Sequence, residues 1–108
     1  MAGEVKELND QNYKEELEKQ DMALVDIYAS WCGPCRLFSP IFEKVAQETD
    51  DLAFFKVDGD KNPAIRQGLT IDNLPYVAVF KNGSFEKGHS TSTEHGLKEF
   101  IQSLKGHE

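Results

Sequence analysis

Residues 22–28, Met-Ala-Leu-Val-Asp-Ile-Tyr, make a strand-length run that is apolar except at Asp26. A strand with one wet face alternates apolar and polar residues. A run apolar on both faces needs cover on both, as a central strand has in a partly parallel sheet between helices. The run therefore selects an α/β layered architecture, and its neighbours fit it. Leu37, Phe38, Ile41, Phe42, Val45 and Ala46 recur in pairs every four residues, predicting the longest helix with a wide apolar face. Pro40 removes one backbone donor inside that helix and predicts a kink near Leu37. Leu52–Val57 reads as a second buried strand.

Asn9, with Leu8 stapled to Tyr13, is expected to cap a short helix whose Tyr13 and Leu17 share a face and which frays at Gln20-Asp21. Asn62-Pro63 supplies an N-cap and a first-turn proline for a short helical stretch that Gly68 ends. Asn82-Gly83, between Tyr76–Lys81 and Ser84–Gly88, predicts a two-residue hairpin with a type I′ turn, so this end of the sheet is antiparallel. Leu97, Phe100, Ile101 and Leu104 follow a helical period, with Thr91 and Glu94 placed for a capping box. A short strand ahead of the first helix completes the order β-α-β-α-β-α-β-β-α.

At 108 residues, without repeats or a linker, the chain fits a single domain, 1–108. Its longest uninterrupted apolar run, Tyr76–Phe80, is far short of the ~20 residues a membrane-spanning helix needs. The start, Met1-Ala2-Gly3-Glu4-Val5-Lys6-Glu7, has no basic stretch leading into an apolar one, and Ala2 stands where a myristoylation signal needs glycine. A soluble, monomeric, cytoplasmic protein is expected, with no membrane partner. Twelve Lys and Arg against nineteen Asp and Glu give a net charge of -7, which opposes phosphate neutralisation and argues against a nucleic-acid partner.

The only cysteines, Cys32 and Cys35, lie two residues apart. A disulfide scaffold would carry more of them at wider spacing, and closing so short a loop contributes only about 2 kcal/mol in the chain-entropy model. The pair sits where the buried strand hands over to the long helix. Free N–H groups and the helix dipole favour an anion there, which makes Cys32 the better nucleophile, while Cys35 lies one turn on along the same side. Zinc is the competing reading. It needs four ligands; there is no second cysteine pair, His89 and His95 are about fifty residues away, and His107 is close to the C-terminal end. A redox dithiol with no metal is favoured.

Asp26, Trp31-Cys32-Gly33-Pro34-Cys35, Pro40, Asn62-Pro63, Leu74-Pro75 and Lys81-Asn82-Gly83 stand in the order and spacing found in thioredoxins. The chain resembles that family over essentially its whole length. The resemblance implies the thioredoxin fold, an α/β fold in which four helices flank a central five-stranded mixed sheet. It implies a dithiol–disulfide oxidoreductase that reduces protein disulfides, Cys32 attacking and Cys35 resolving. It further implies a thioredoxin reductase as partner, supplying electrons indirectly from NADPH, and no prosthetic cofactor; no nucleotide-binding glycine pattern is present.

Taken alone, Asp26 would be a polar residue on a partly exposed face, Lys56 a solvated strand residue and Pro75 a strand-start proline. The resemblance gives each a role. Asp26 matches a buried aspartate that relays a proton to and from the resolving cysteine through water, and Lys56 matches a lysine that tunes it. Leu74-Pro75 matches a cis-proline segment whose preceding backbone pairs with the substrate chain. Trp31, Gly33 and Pro34 would form the substrate surface beside the dithiol, and Pro40 would shape the helix. Two residues depart from the family. Tyr28 replaces a usual tryptophan and adds a hydroxyl that needs a partner. Ser90 stands where a glycine lets the bound peptide approach, which bears on substrate range.

Two alternatives keep the fold. A binding module or accessory subunit of a larger assembly would make the dithiol incidental, against which the intact pair argues. An oxidase or isomerase is disfavoured by Gly33-Pro34 between the cysteines and by the absence of a signal-like start.

Overall fold

The computed structural model describes residues 4–105. Met1–Gly3, on which the address and acylation readings partly rest, and His107 lie outside the described residues. Five strands form one sheet: β1 (Val5–Leu8), β2 (Met22–Tyr28), β3 (Ala53–Asp58), β4 (Tyr76–Lys81) and β5 (Ser84–Ser90), in the order β1-β3-β2-β4-β5. β1, β3 and β2 run parallel, while β4 is antiparallel to β2 and β5 to β4. Three α-helices cover it: α1 (Tyr13–Glu18), α2 (Gly33–Gln47) and α3 (Glu94–Lys105).

β2 is the central strand, and its period of two sorts the core. Ala23, Val25 and Ile27 join one cluster with Leu8, Leu17, Val57 and Phe80. Leu24 joins the other, with Phe38, Phe42, Val45, Phe54, Val77 and Leu97. Asp26, in phase with Leu24, therefore faces the α2 layer. The apolar face of α2 supplies that layer's aromatic packing, with Phe42 lying 5.9 Å from Phe38 and 5.3 Å from Phe54 between ring centroids.

The expected fourth helix is a single 3₁₀ turn at Pro63–Arg66, so three α-helices, not four, are present among the described residues. With Asp58–Asn62 already committed to a turn and Gly68 at φ +85°, only five residues remain, and Gln67 is already extended, which leaves four for i→i+3 bonding. Its cap also differs. Asn62 makes no cap bond; the Asp10 carboxylate accepts the Ala64 N–H at 3.1 Å, and the Asn62 amide oxygen accepts the Asp10 N–H at 3.2 Å.

Asn9 does accept the N–H groups of Gln11 and Asn12, but it organises a preceding turn, and the α-helix proper starts at Tyr13. At α3 the cap is Thr93, whose hydroxyl accepts the Gly96 N–H at 3.0 Å, in place of the expected Thr91–Glu94 box. α2 continues through Pro40 to Gln47. The hairpin turn is as expected, with Asn82 at φ 52° and Gly83 at φ +90°, the left-handed pair a type I′ turn requires.

Truncating Phe42 removes the ring that joins α2 to β3. Phe42→Ala should lower stability by about 3–5 kcal/mol, read as a fall in the urea midpoint with an unchanged slope.

Candidate active site

After Tyr28 the chain leaves the sheet through Ala29-Ser30-Trp31, and α2 begins at Gly33. Cys32 is the N-cap, with extended backbone at φ -88° and ψ 107°, and its sulfur accepts the Cys35 N–H at 3.2 Å. That seat faces the free N–H groups and positive dipole end of the first turn, so it stabilises negative charge on the Cys32 sulfur in the reduced form. Gly33 and Pro34 occupy the first turn, and a Cβ on Gly33 would meet nothing within 4 Å. Cys32 and Cys35 are joined as a disulfide with Cα atoms 5.3 Å apart, and each is 3% exposed.

Trp31, Cys32, Gly33 and Pro34 face Ile71–Leu74 across an open cleft of about 500 Å³ that Arg66 also lines. Leu74 packs on the cluster of Ala29, Cys32 and Cys35, and the Leu74–Pro75 peptide bond is cis, with Pro75 buried. The Trp31 ring is 70% exposed, and its indole N–H donates to Asp60, whose other oxygen lies 3.7 Å from Arg66. Ser90, paired with Tyr76 across the sheet, donates its hydroxyl to the Asn73 carbonyl at 3.1 Å and so ties down the loop that leads into Leu74. Pro40 lies exposed farther along α2 and lines neither this cleft nor the one described next.

A second cleft, of about 320 Å³, is lined by Cys35, Tyr28, Arg36, Ser39 and Lys56. Asp26 is 1% exposed, and its Oδ1 has no hydrogen-bond partner. Burial pushes its carboxyl up from 3.8 to about 7, against a smaller opposing pull from Lys56 and with a small further push from Glu7. Lys56 is Asp26's neighbour in register on β3, yet its amine pairs with Glu7 at 3.9 Å and Glu43 at 3.6 Å. The Tyr28 hydroxyl finds its partner in Glu7, donating to Oε2 at 2.7 Å. Burial, followed by the Glu7 carboxylate, raises the Tyr28 phenol well above its usual range.

Sequence reasoning missed Asp60, Arg66, Glu7 and Glu43. Each is an ordinary surface charge in the linear chain, and only the sheet order, the packing of α2 and the turns between Asp58 and Arg66 bring them to the site. Among the described residues no cluster of three His, Cys, Asp or Glu side chains could hold a metal ion. His89 stacks on Phe100 and His95 pairs with Glu99.

The family model for thioredoxin matches residues 4–103. The chain belongs to the thioredoxin family. A thioredoxin of Mycoplasmoides gallisepticum is 38% identical over 87 residues, covering 80% of this chain and 87% of that one. Chloroplastic thioredoxin M-type of Spinacia oleracea is 39% identical over 82 residues, 74% of this chain but 45% of that longer one. A thioredoxin 2 of Streptomyces coelicolor is likewise spanned over only 56% of its length. Among solved structures, a single-site mutant of thioredoxin from Halobacterium salinarum superposes with a TM-score of 0.80 at 29% identity, covering 94% of this chain and 91% of that one. Thioredoxin f2, solved in complex with ferredoxin:thioredoxin reductase, shares the fold at a TM-score of 0.87 and 21% identity, covering 96% of this chain and 97% of that one. Thioredoxins work without a prosthetic cofactor, and the Cys32–Cys35 pair gives this thioredoxin domain the chemistry of a disulfide oxidoreductase.

The raised Asp26 pKa fixes a sign. The folded state binds the proton more tightly than the unfolded chain, so stability falls as pH rises from about 4 to about 7 and levels off above. The total loss is on the order of 4 kcal/mol. Asp26→Asn should therefore gain little at pH 4 and up to about 4 kcal/mol at pH 8. Denaturant midpoints of both proteins across that range check it, and a constant gap would mean the carboxyl is solvated.

Proposed function

We propose that this thioredoxin is a reductase of protein disulfides. The observation that carries the reading is the seat of Cys32, whose sulfur caps α2 while its residue lines the open cleft opposite Leu74. In the reduced form the Cys32 thiolate attacks one sulfur of a substrate disulfide. A mixed disulfide forms, and the other substrate sulfur leaves as a thiolate. The Asp26 carboxylate then takes the proton of the Cys35 thiol through water. The Cys35 thiolate attacks the Cys32 sulfur, closing the Cys32–Cys35 bond and expelling the second substrate thiolate. Two electrons pass from the dithiol to the substrate, and the disulfide described above is the spent form.

Trp31, Gly33, Pro34 and Leu74 offer an apolar surface to the segment carrying the substrate disulfide, and the Leu74 backbone offers it hydrogen bonds ahead of Pro75. The hydroxyl of Ser90 is committed to Asn73, which supports a loop-positioning role for it over a crowding one. Lys56 adjusts Asp26, and Pro40 shapes α2. The oxidised pair is returned to the dithiol by a thioredoxin reductase drawing on NADPH. Thioredoxin f2 was itself captured with a reductase of the ferredoxin-dependent kind. The protein is proposed to act as a cytoplasmic monomer.

Reduced protein should accelerate the reduction of insulin by dithiothreitol, and Cys32→Ser should return the rate to the uncatalysed background. Cys35→Ser should trap several unrelated proteins from extracts as mixed disulfides released by dithiothreitol. Retention of one dominant partner with both cysteines replaced would instead identify an accessory subunit.

A further inference from the structure

Register places a row of side chains across the sheet. Asp26 on β2 pairs with Lys56 on β3, which pairs with Glu7 on β1. All three point to the α2 layer, because Leu24, Phe54 and Val5, each two residues earlier on its strand, belong to the cluster packed against α2. On the opposite side of Asp26 its partner on β4 is Val77, which brings no charge. α2 contributes Glu43, which reaches Lys56, and Cys35 and Arg36, which line the same cleft as Lys56, the Arg36 guanidinium donating to the Ser30 carbonyl. Tyr28, two residues beyond Asp26 on the same face, closes the row by donating to Glu7. Asp58 on β3 is buried and already accepts the N–H groups of Asp60 and Lys61.

The amine that could neutralise Asp26 is thus held elsewhere. Lys56 lies within 4 Å of Glu7 and Glu43, and no ion pair joins it to Asp26 among the described residues. We propose that Glu7, fixed by the Tyr28 hydroxyl, is a positioning residue that works with Glu43 to hold Lys56 off Asp26, keeping the Asp26 carboxylate basic enough to take the proton of Cys35. The inference rests on the reductase reading and deepens it. A lysine turned onto Asp26 would stabilise its anion and make it a poorer base near neutral pH, when a general base works best with a pKa close to the working pH. The pull of Lys56 on the Asp26 carboxyl runs in the direction this requires, and Glu7 adds a smaller direct push of its own, which the variants below separate from its hold on Lys56. The account also gives the tyrosine at position 28 a task that a phenylalanine could not perform, since the bond to Glu7 is made by its hydroxyl.

The test follows the Asp26 carboxyl by carbon NMR titration, together with the pH dependence of mixed-disulfide resolution in single-turnover kinetics. In Glu7→Gln both midpoints should move down by roughly 0.5–1 unit, an effect reduced by the partial exposure of Glu7 and Lys56. Tyr28→Phe should move them the same way by less. With Lys56 replaced, as in Lys56→Met, the effect of Glu7→Gln should shrink to less than half. Unmoved midpoints in Glu7→Gln, or an equal shift in the Lys56→Met background, would overturn the proposal, the second because Glu7 would then act directly on Asp26. The titration needs no substrate. It therefore reports on the row even if the wild-type protein reduces no disulfide, an outcome that would count against the reductase reading alone.

Discussion

β2 hydrogen-bonds to β3 on one side and β4 on the other, and its side chains divide alternately between two apolar clusters. Burial on both faces fixes the strand's register and direction, because a slip of one residue would exchange the two faces. It also fixes where the strand ends. From that end three residues carry the chain to Cys32, and the apolar face of α2 must settle on the Leu24 side of the sheet. The position of the cysteine sulfur at the start of α2 follows from these two constraints. The loop of Leu74 reaches the same spot because β4, which it introduces, lies beside β2.

The same burial makes Asp26 costly. A carboxylate on the Leu24 face of β2, beneath α2, is removed from water with one oxygen unpaired, and no nearby group offsets that loss in full. A fold selected only for stability would place an apolar residue there. An ionisable group kept on the central strand at that cost supports the proton-acceptor role proposed for Asp26, and marginal stability is the general background against which such a penalty is tolerated.

Much of the architecture was legible in the chain because it rests on local patterns. The run at 22–28, the paired apolar positions of α2 and the Asn82-Gly83 turn each dictate an element through periodicity or backbone conformation alone. What escaped was set by distant partners. The 3₁₀ turn at Pro63 takes its cap from Asp10, fifty-four positions away. The cap of α3 differed for a local reason, since the helix starts at Glu94 and so leaves Thr93, not Thr91, at its N-cap position. At the site, Cys32 and Cys35 were legible because their spacing carries chemistry. Glu7 and Glu43 were not, since an acidic residue gains meaning beside Lys56 only once β1, β3 and α2 are side by side.

Asp10 and Asn62 hold each other by one hydrogen bond, and Asp10 reaches on to Ala64 by another. Together the two bonds form a strap between the approach to α1 and the segment that carries Asp60 and Arg66. That segment is also where the indole of Trp31 is moored. The wall of the cleft is consequently anchored to the opening stretch of the chain, on the side of the sheet that the cysteines do not touch. Mechanical slack introduced at Asp10 would therefore be transmitted to the tryptophan beside the disulfide, through a part of the molecule with no chemistry of its own.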